Sequence, residues 1–123
     1  MTINSIIHRI RTDSPNNIYI KREDLLPFSF GGNKVRIAAE FFRDMKAKGK
    51  DCIIGYGSSR SNLVRAIANM SSAYLLTGGW GLIISPSEDD GSRLQSYHTT
   101  IAKLCSAKFV YCSKSDVADT VKE

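Results

Sequence analysis

Hydrophobic and polar positions follow two rhythms along this chain. After an N-terminal arm with little regular pattern, residues 17–22 (Asn-Ile-Tyr-Ile-Lys-Arg) show the period of two expected of a short strand and lead into a polar, proline-containing turn over residues 23–27. A loop closes on Gly31-Gly32-Asn33. From Lys34 onward Val35, Ala38, Ala39, Phe42 and Met45 fall at helical spacing, ending in the basic, glycine-containing run 46–50 that suits a helix C-terminus. Beyond residue 50 the pattern predicts strands over 52–56, 81–85 and 108–112, alternating with helices over 61–74, 92–106 and from 116 to 123. This order implies an α/β fold: a mainly parallel sheet with right-handed crossovers and flanking helices, in three layers. It divides the chain into an arm over residues 1–50 and a partial α/β domain over residues 51–123. Ligands are then expected at the C-terminal edge of the strands, where the loop after residue 56 enters a helix.

Composition changes this picture little. The chain has 123 residues, of which 42% are hydrophobic and 24% charged, a balance that supports one folded unit and excludes disorder as the main state. No apolar run reaches the roughly 20 residues needed to cross a bilayer, and the first residues lack a signal-peptide pattern, so a soluble cytoplasmic protein is expected. The net charge of +5 lies wholly in the first part, with ten basic and five acidic groups over residues 1–50 and seven of each thereafter. A local excess around Lys34 suits a small anionic ligand as well as it suits a nucleic acid, and no RNA-recognition aromatic motif accompanies it. Cys52, Cys105 and Cys112 show no two-residue spacing, and neither His8 nor His98 has an acidic or cysteine partner at ligand spacing, so no disulfide framework or metal site is expected. Cys52 and Cys112 read as buried small hydrophobes within strands.

Two segments carry candidate chemistry. The first is the turn Gly57-Ser58-Ser59-Arg60-Ser61-Asn62, which offers hydroxyls, an amide and the N–H groups of a helix start to a carboxylate or phosphate. Ser59 or Ser61 acting only as a helix cap is the equally weighted structural reading. No Walker lysine follows, which disfavours nucleoside triphosphates. In the second, Phe30-Gly31-Gly32-Asn33-Lys34-Val35-Arg36, Lys34 follows a double glycine at a helix start close to Arg36. Both neighbours disfavour an ammonium ion and would favour an amine nucleophile towards an aldehyde; a solvated lysine is the alternative. Tyr56 reads as a core or rim aromatic, Arg60 as an exposed loop residue, Trp80 as an apolar anchor, the Thr77–Gly81 cluster as a turn and the acidic run 88–90 as a solvated charge cluster.

Taken in order, residues 18–25, Gly31-Gly32-Asn33-Lys34-Val35-Arg36 and Gly57-Ser58-Ser59-Arg60-Ser61-Asn62 resemble fold-type II pyridoxal-phosphate enzymes. Within them the chain looks most like the branch containing aminocyclopropane-carboxylate deaminase and D-cysteine desulfhydrase. The resemblance implies that Lys34 is the Schiff-base lysine and that Asn62 and Asn33 lie against pyridoxal 5'-phosphate. Ser58, Ser59, Ser61 and Asn62 would hold the carboxylate of a small amino-acid substrate, with Ser61 also assisting catalysis. It covers the N-terminal arm and small domain of a family whose members are more than twice as long, and Ile37 stands where deaminase-like members commonly carry a basic residue. The expected function is therefore a fragmentary or truncated deaminase-, desulfhydrase- or lyase-like enzyme, weak or inactive by itself, homo-oligomeric or lacking its large domain. The alternatives are a catalytically silent α/β interaction module derived from that family and a basic nucleic-acid-binding domain.

Overall fold

The computed structural model describes residues 3–75, 80–86 and 97–122. Strand β1 (Ile6–Ile10) pairs antiparallel with β2 (Ile18–Arg22), a 3-10 turn at Glu23–Leu25 follows, and helix α1 occupies Asn33–Ala47. Three parallel strands, β3 (Cys52–Tyr56), β4 (Trp80–Pro86) and β5 (Lys108–Cys112), then alternate with α2 (Asn62–Leu75), α3 (Tyr97–Leu104) and α4 (Val117–Thr120). The sheet order is β3-β4-β5, and α2 and α3 pack against each other on one face of it. The expected α/β class and parallel sheet are what the chain forms. Residues 92–96 of the expected third helix, the cluster at 77–79 and the acidic run 88–90 lie outside the described residues.

The arm is more ordered than its pattern suggests. Its first strand escapes sequence reading because Ile6-Ile7-His8-Arg9-Ile10 does not alternate apolar with polar residues as β2 does; the partner strand sets the register instead, with Ile6 opposite Arg22 and Ile10 opposite Ile18. Residues opposite one another share a face, which gathers Ile6, Ile10, Ile18 and Ile20 on one side.

Helix α1 joins the arm to the sheet through a common core. Its stripe Val35, Ala38, Phe42 and Met45 packs with Ala66, Ile67 and Met70 of α2 and with Leu26, while Ile53 of β3 lies beneath. The fully buried Phe42, Met70 and Val35 each contribute about 1.5–3 kcal/mol of burial free energy. A second cluster ties α2 to α3 and β5 through Val64, Ala68, Ala102 and Phe109. Both helices α1 and α3 stop with a reversed hydrogen-bond pair, Lys50 N–H to the Met45 carbonyl around Gly49 (φ 62°) and Ala107 N–H to the Ala102 carbonyl around Ser106 (φ 58°).

Only one face of β3 is covered by these helices. Ile53 and Gly55 face them, and Gly55 sits against the Ile67 side chain, whereas Cys52, Ile54 and Tyr56 point the other way and are exposed. This corrects the expectation of a buried Cys52: strand alternation places it on the open face. Cys112 is half-buried.

Gly31 is the tightest of the glycines at 31, 32, 49, 55 and 57. It is buried with φ 70°, and a Cβ added there would lie 2.4 Å from the Glu23 carbonyl oxygen and 2.5 Å from that of Asp24. Replacing Gly31 by alanine is expected to destabilise the chain by roughly 3–5 kcal/mol, combining left-handed strain with overpacking. Gly49→Ala, where a Cβ meets nothing within 4 Å, should cost only about 1–2 kcal/mol; denaturant unfolding of the two variants checks the difference.

Candidate active site

Helix α1 ends beside the start of β3, and α2 starts beyond the end of β3, so the N-termini of α1 and α2 lie at the same C-terminal edge of the sheet. Lys34 is the second residue of α1 and is half-buried. Ser58–Asn62 forms the turn that opens α2. The structure thus brings the lysine motif and the serine turn to one edge, although residues 35–56 separate them in sequence.

A run of left-handed backbone presents Lys34. Ser29, Phe30, Gly31 and Gly32 have φ of 50°, 62°, 70° and 88°, a conformation that costs about 1–2 kcal/mol at each non-glycine residue. The Gly31 N–H donates to the Phe28 carbonyl and the Gly32 N–H to that of Glu23, at 2.8 and 2.7 Å. No side chain caps α1, so the positive end of its dipole remains open at the edge.

The same turn is fastened from the side by the Glu23 carboxylate. Arg36 donates to it through Nε at 2.6 Å and Nη2 at 2.9 Å, Ser5 Oγ at 2.6 Å and Lys21 Nζ at 3.0 Å. Arg36 also reaches the Ile3 carbonyl and Ser5 Oγ, tying the start of the arm to α1. These interactions, the Arg36 hydrogen bonds foremost and Ser5 next, hold the Glu23 carboxyl at about 2 against an ordinary 4.5. They also revise the expected role of Arg36. Its charge is matched by Glu23 rather than set as an unpaired neighbour of Lys34, because the arm folds back over this side of α1.

In the serine turn, the structural reading holds for Ser61. Its Oγ accepts the Val64 N–H at 3.3 Å, and its own N–H donates to the Ser58 carbonyl at 2.9 Å, which is the geometry of an N-cap. Gly57 is required beneath it, since a Cβ there would lie 2.8 Å from Ser61 Oγ and 2.9 Å from Val64 Cγ2. Ser58 and Asn62 are exposed and Ser59 is half-buried. The crevice lined by Ser58, Ser59, Ser61, Val64, Thr99, Ala102 and Phe109 is too narrow for a water molecule. Asn33 is exposed at the first position of α1, Ile37 is half-buried, and Arg60 and Tyr56 are exposed as expected of loop and rim residues. Among the described residues no cluster of three or more histidine, cysteine or carboxylate side chains could hold a metal, and no helix is long and apolar enough to cross a membrane.

Sequence reasoning passed over Arg65 and Asn69. Both lie on α2 one turn apart and grip the loop ahead of Lys34: Asn69 Oδ1 accepts the Ser29 N–H at 2.9 Å, and Arg65 Nε donates to Ser29 Oγ at 2.9 Å. The signal available was a charged residue inside the apolar run 63–68; Arg65 is only 7% exposed, which is rare for an arginine without partners.

No family model matches the chain. Its fold is shared with solved structures. The crystal structure of an aminocyclopropane-carboxylate (ACC) deaminase homologue superposes with a TM-score of 0.69 at 21% identity, over 97% of this chain and 35% of that one. O-ureido-L-serine synthase gives 0.64 at 20% identity, over 95% and 37%, and a hydrogen sulfide-producing enzyme of Fusobacterium nucleatum gives 0.61 at 18%, over 98% and 38%. Sequence then points to a branch. Fifty-five residues, 45% of this chain, are 40% identical to D-cysteine desulfhydrase of Salmonella paratyphi B, and equally to that of Salmonella newport, covering 17% of each. The resemblance to fold-type II pyridoxal-phosphate enzymes of the aminocyclopropane-carboxylate deaminase and D-cysteine desulfhydrase branch stands on both findings. The chain spans between 35% and 38% of the length of these solved structures, and the aligned stretch about a sixth of the curated relatives.

Two outcomes follow from this geometry. Because Glu23 is ionised down to about 2, its network contributes fully above pH 4.5 and is lost as pH falls from 4.5 through 2. The stability advantage of the wild type over Glu23→Gln, read as thermal midpoints, should therefore shrink across that window. Ser61→Ala should cost about 1 kcal/mol of stability through the lost cap, and Ser61→Asp, which retains a capping oxygen, should recover most of it; urea unfolding measures both.

Proposed function

We propose that this chain is the arm and small domain of a pyridoxal-phosphate-dependent enzyme acting on a small amino acid, with Lys34 as the residue that bears the cofactor. The observation that carries the reading is the convergence of the half-buried Lys34, on the first turn of an uncapped helix, with the hydroxyl- and amide-bearing start of α2 at one sheet edge. The donor set fits such a group: an amine for its aldehyde, Asn33 and Asn62 amides for its ring oxygen, and two helix N-termini for anionic oxygens. Bound there, pyridoxal phosphate would supply an electron sink for an amino acid's α-carbon.

The residues of this chain would do the rest. The Lys34 amine would move a proton at the substrate α-carbon, as base and then acid. Ser58, Ser59 and Asn62 would take the substrate carboxylate at the N-terminus of α2. Ser61 would assist through its own hydroxyl hydrogen, since its oxygen already accepts the Val64 N–H. The crevice behind the turn is too narrow to admit a ligand, so ligand would meet the turn from the solvent side. The names of the relatives, a D-cysteine desulfhydrase and an ACC deaminase homologue, support a small amino acid as substrate and elimination or deamination as the reaction class.

One observation favours a second reading, a silent interaction module: the four isoleucines on one face of the β1–β2 hairpin, Ile6, Ile10, Ile18 and Ile20, are all exposed, the surface expected of an element that packs on another domain or subunit. Incubation with pyridoxal phosphate, borohydride reduction and peptide mass mapping separates the two. The enzyme reading expects a pyridoxyl group on Lys34 in preference to other lysines, abolished in Lys34→Ala. Modification spread evenly over exposed lysines would leave the interaction module.

A further inference from the structure

We infer that Arg65 and Asn69 are positioning residues for Lys34, acting through the left-handed loop 29–32 and coupling the lysine turn to the serine turn as one body; this rests on the proposed role of Lys34. The loop cannot hold its shape from local preferences. Ser29 and Phe30 both sit at positive φ, where only glycine is comfortable, so the conformation must be imposed by tertiary contacts.

Those contacts come from one face of α2. Arg65, in its first turn, donates from Nε to Ser29 Oγ at 2.9 Å and places its guanidinium 5.5 Å from the centre of the Phe30 ring. Phe30 is 73% exposed, so burial does not hold it and the cation–π contact does. Asn69, one turn later, accepts the Ser29 N–H at 2.9 Å. The Asn69 amide is oriented in turn by donation to Cys105 Sγ at 3.5 Å, just beyond α3, which points its oxygen at the loop. A loop residue five positions before Lys34 is thereby fastened to the helix that Ser61 caps. A small shift of this loop would move the amine relative to the hydroxyls, and misplacement by about 1 Å is enough to cost on the order of a hundredfold in rate.

The test compares the rate of borohydride-trapped pyridoxyl modification at Lys34 with that at the exposed Lys103 in the same sample. Lys103, exposed on α3, normalises for reagent and protein concentration, and each variant is labelled at a temperature where its circular dichroism matches that of the folded wild type, so that loss of fold does not enter the ratio. Ser29→Ala removes the hydroxyl acceptor outside the core and retains the backbone strain; Asn69→Leu removes the acceptor of the Ser29 N–H. Each should lower the Lys34-to-Lys103 ratio by about tenfold or more. Asn69→Asp, which keeps an acceptor oxygen, should restore the ratio, and hydrogen exchange at the Ser29 amide should be about tenfold faster in Asn69→Leu only. If Asn69→Leu does not fold, Ser29→Ala decides. An unchanged ratio in the variants, with Lys34 favoured in the wild type, would overturn the positioning role and leave the proposed function intact. A wild type that shows no preference for Lys34 would overturn both.

Discussion

The close approach of Gly31 to the Glu23 and Asp24 carbonyls is the constraint on which the rest of this structure leans. With no Cβ in the way, the chain folds back on the 3-10 turn, the Gly32 N–H reaches the Glu23 carbonyl, and α1 starts at a fixed point against the sheet. Glu23 acts twice here. Its carbonyl holds the loop, and its carboxylate holds Arg36, one turn into the helix, together with Ser5 from the arm. The start of α1 is thus clamped by backbone on one side and by charge on the other, and the grip of α2 on Ser29 adds to that clamp.

The sheet behind this edge is built asymmetrically. Helices α1, α2 and α3 cover one face through a core centred on Phe42, Met70 and Val35, while Ile54 and Tyr56 of β3 and the isoleucine face of the hairpin meet solvent. Both elements thus carry exposed apolar surface. The basic excess of the first fifty residues has a structural outlet as well. Arg36 is matched by Glu23, Arg22 by Asp24 and Lys48 by Asp44, so part of what looks like a polyanion-binding charge is committed to internal pairs.

The fold likeness extends over nearly the whole chain at about a fifth identity, whereas the stronger sequence likeness is confined to fifty-five residues. A parallel sheet packed against helices tolerates many apolar combinations of similar volume, while a turn that needs a glycine against two carbonyls, or a serine above a glycine at a helix start, tolerates few.

Much of this was legible from the residues in order. The period-two and helical stripes located β2, α1, β3, α2, β4 and β5, Gly49 marked the end of α1, and the two turns at the sheet edge were recognisable from glycine, serine and lysine alone. Those features rest on near neighbours, whose spacing the sequence states directly. The pairing of β1 with β2, the exposure of Cys52, the Glu23–Arg36 pair and the grip of Arg65 and Asn69 on Ser29 were decided only by tertiary structure. The Ser29 contacts join residues 36 and 40 positions apart, and which distant side chains meet depends on how helices and strands pack rather than on any local periodicity.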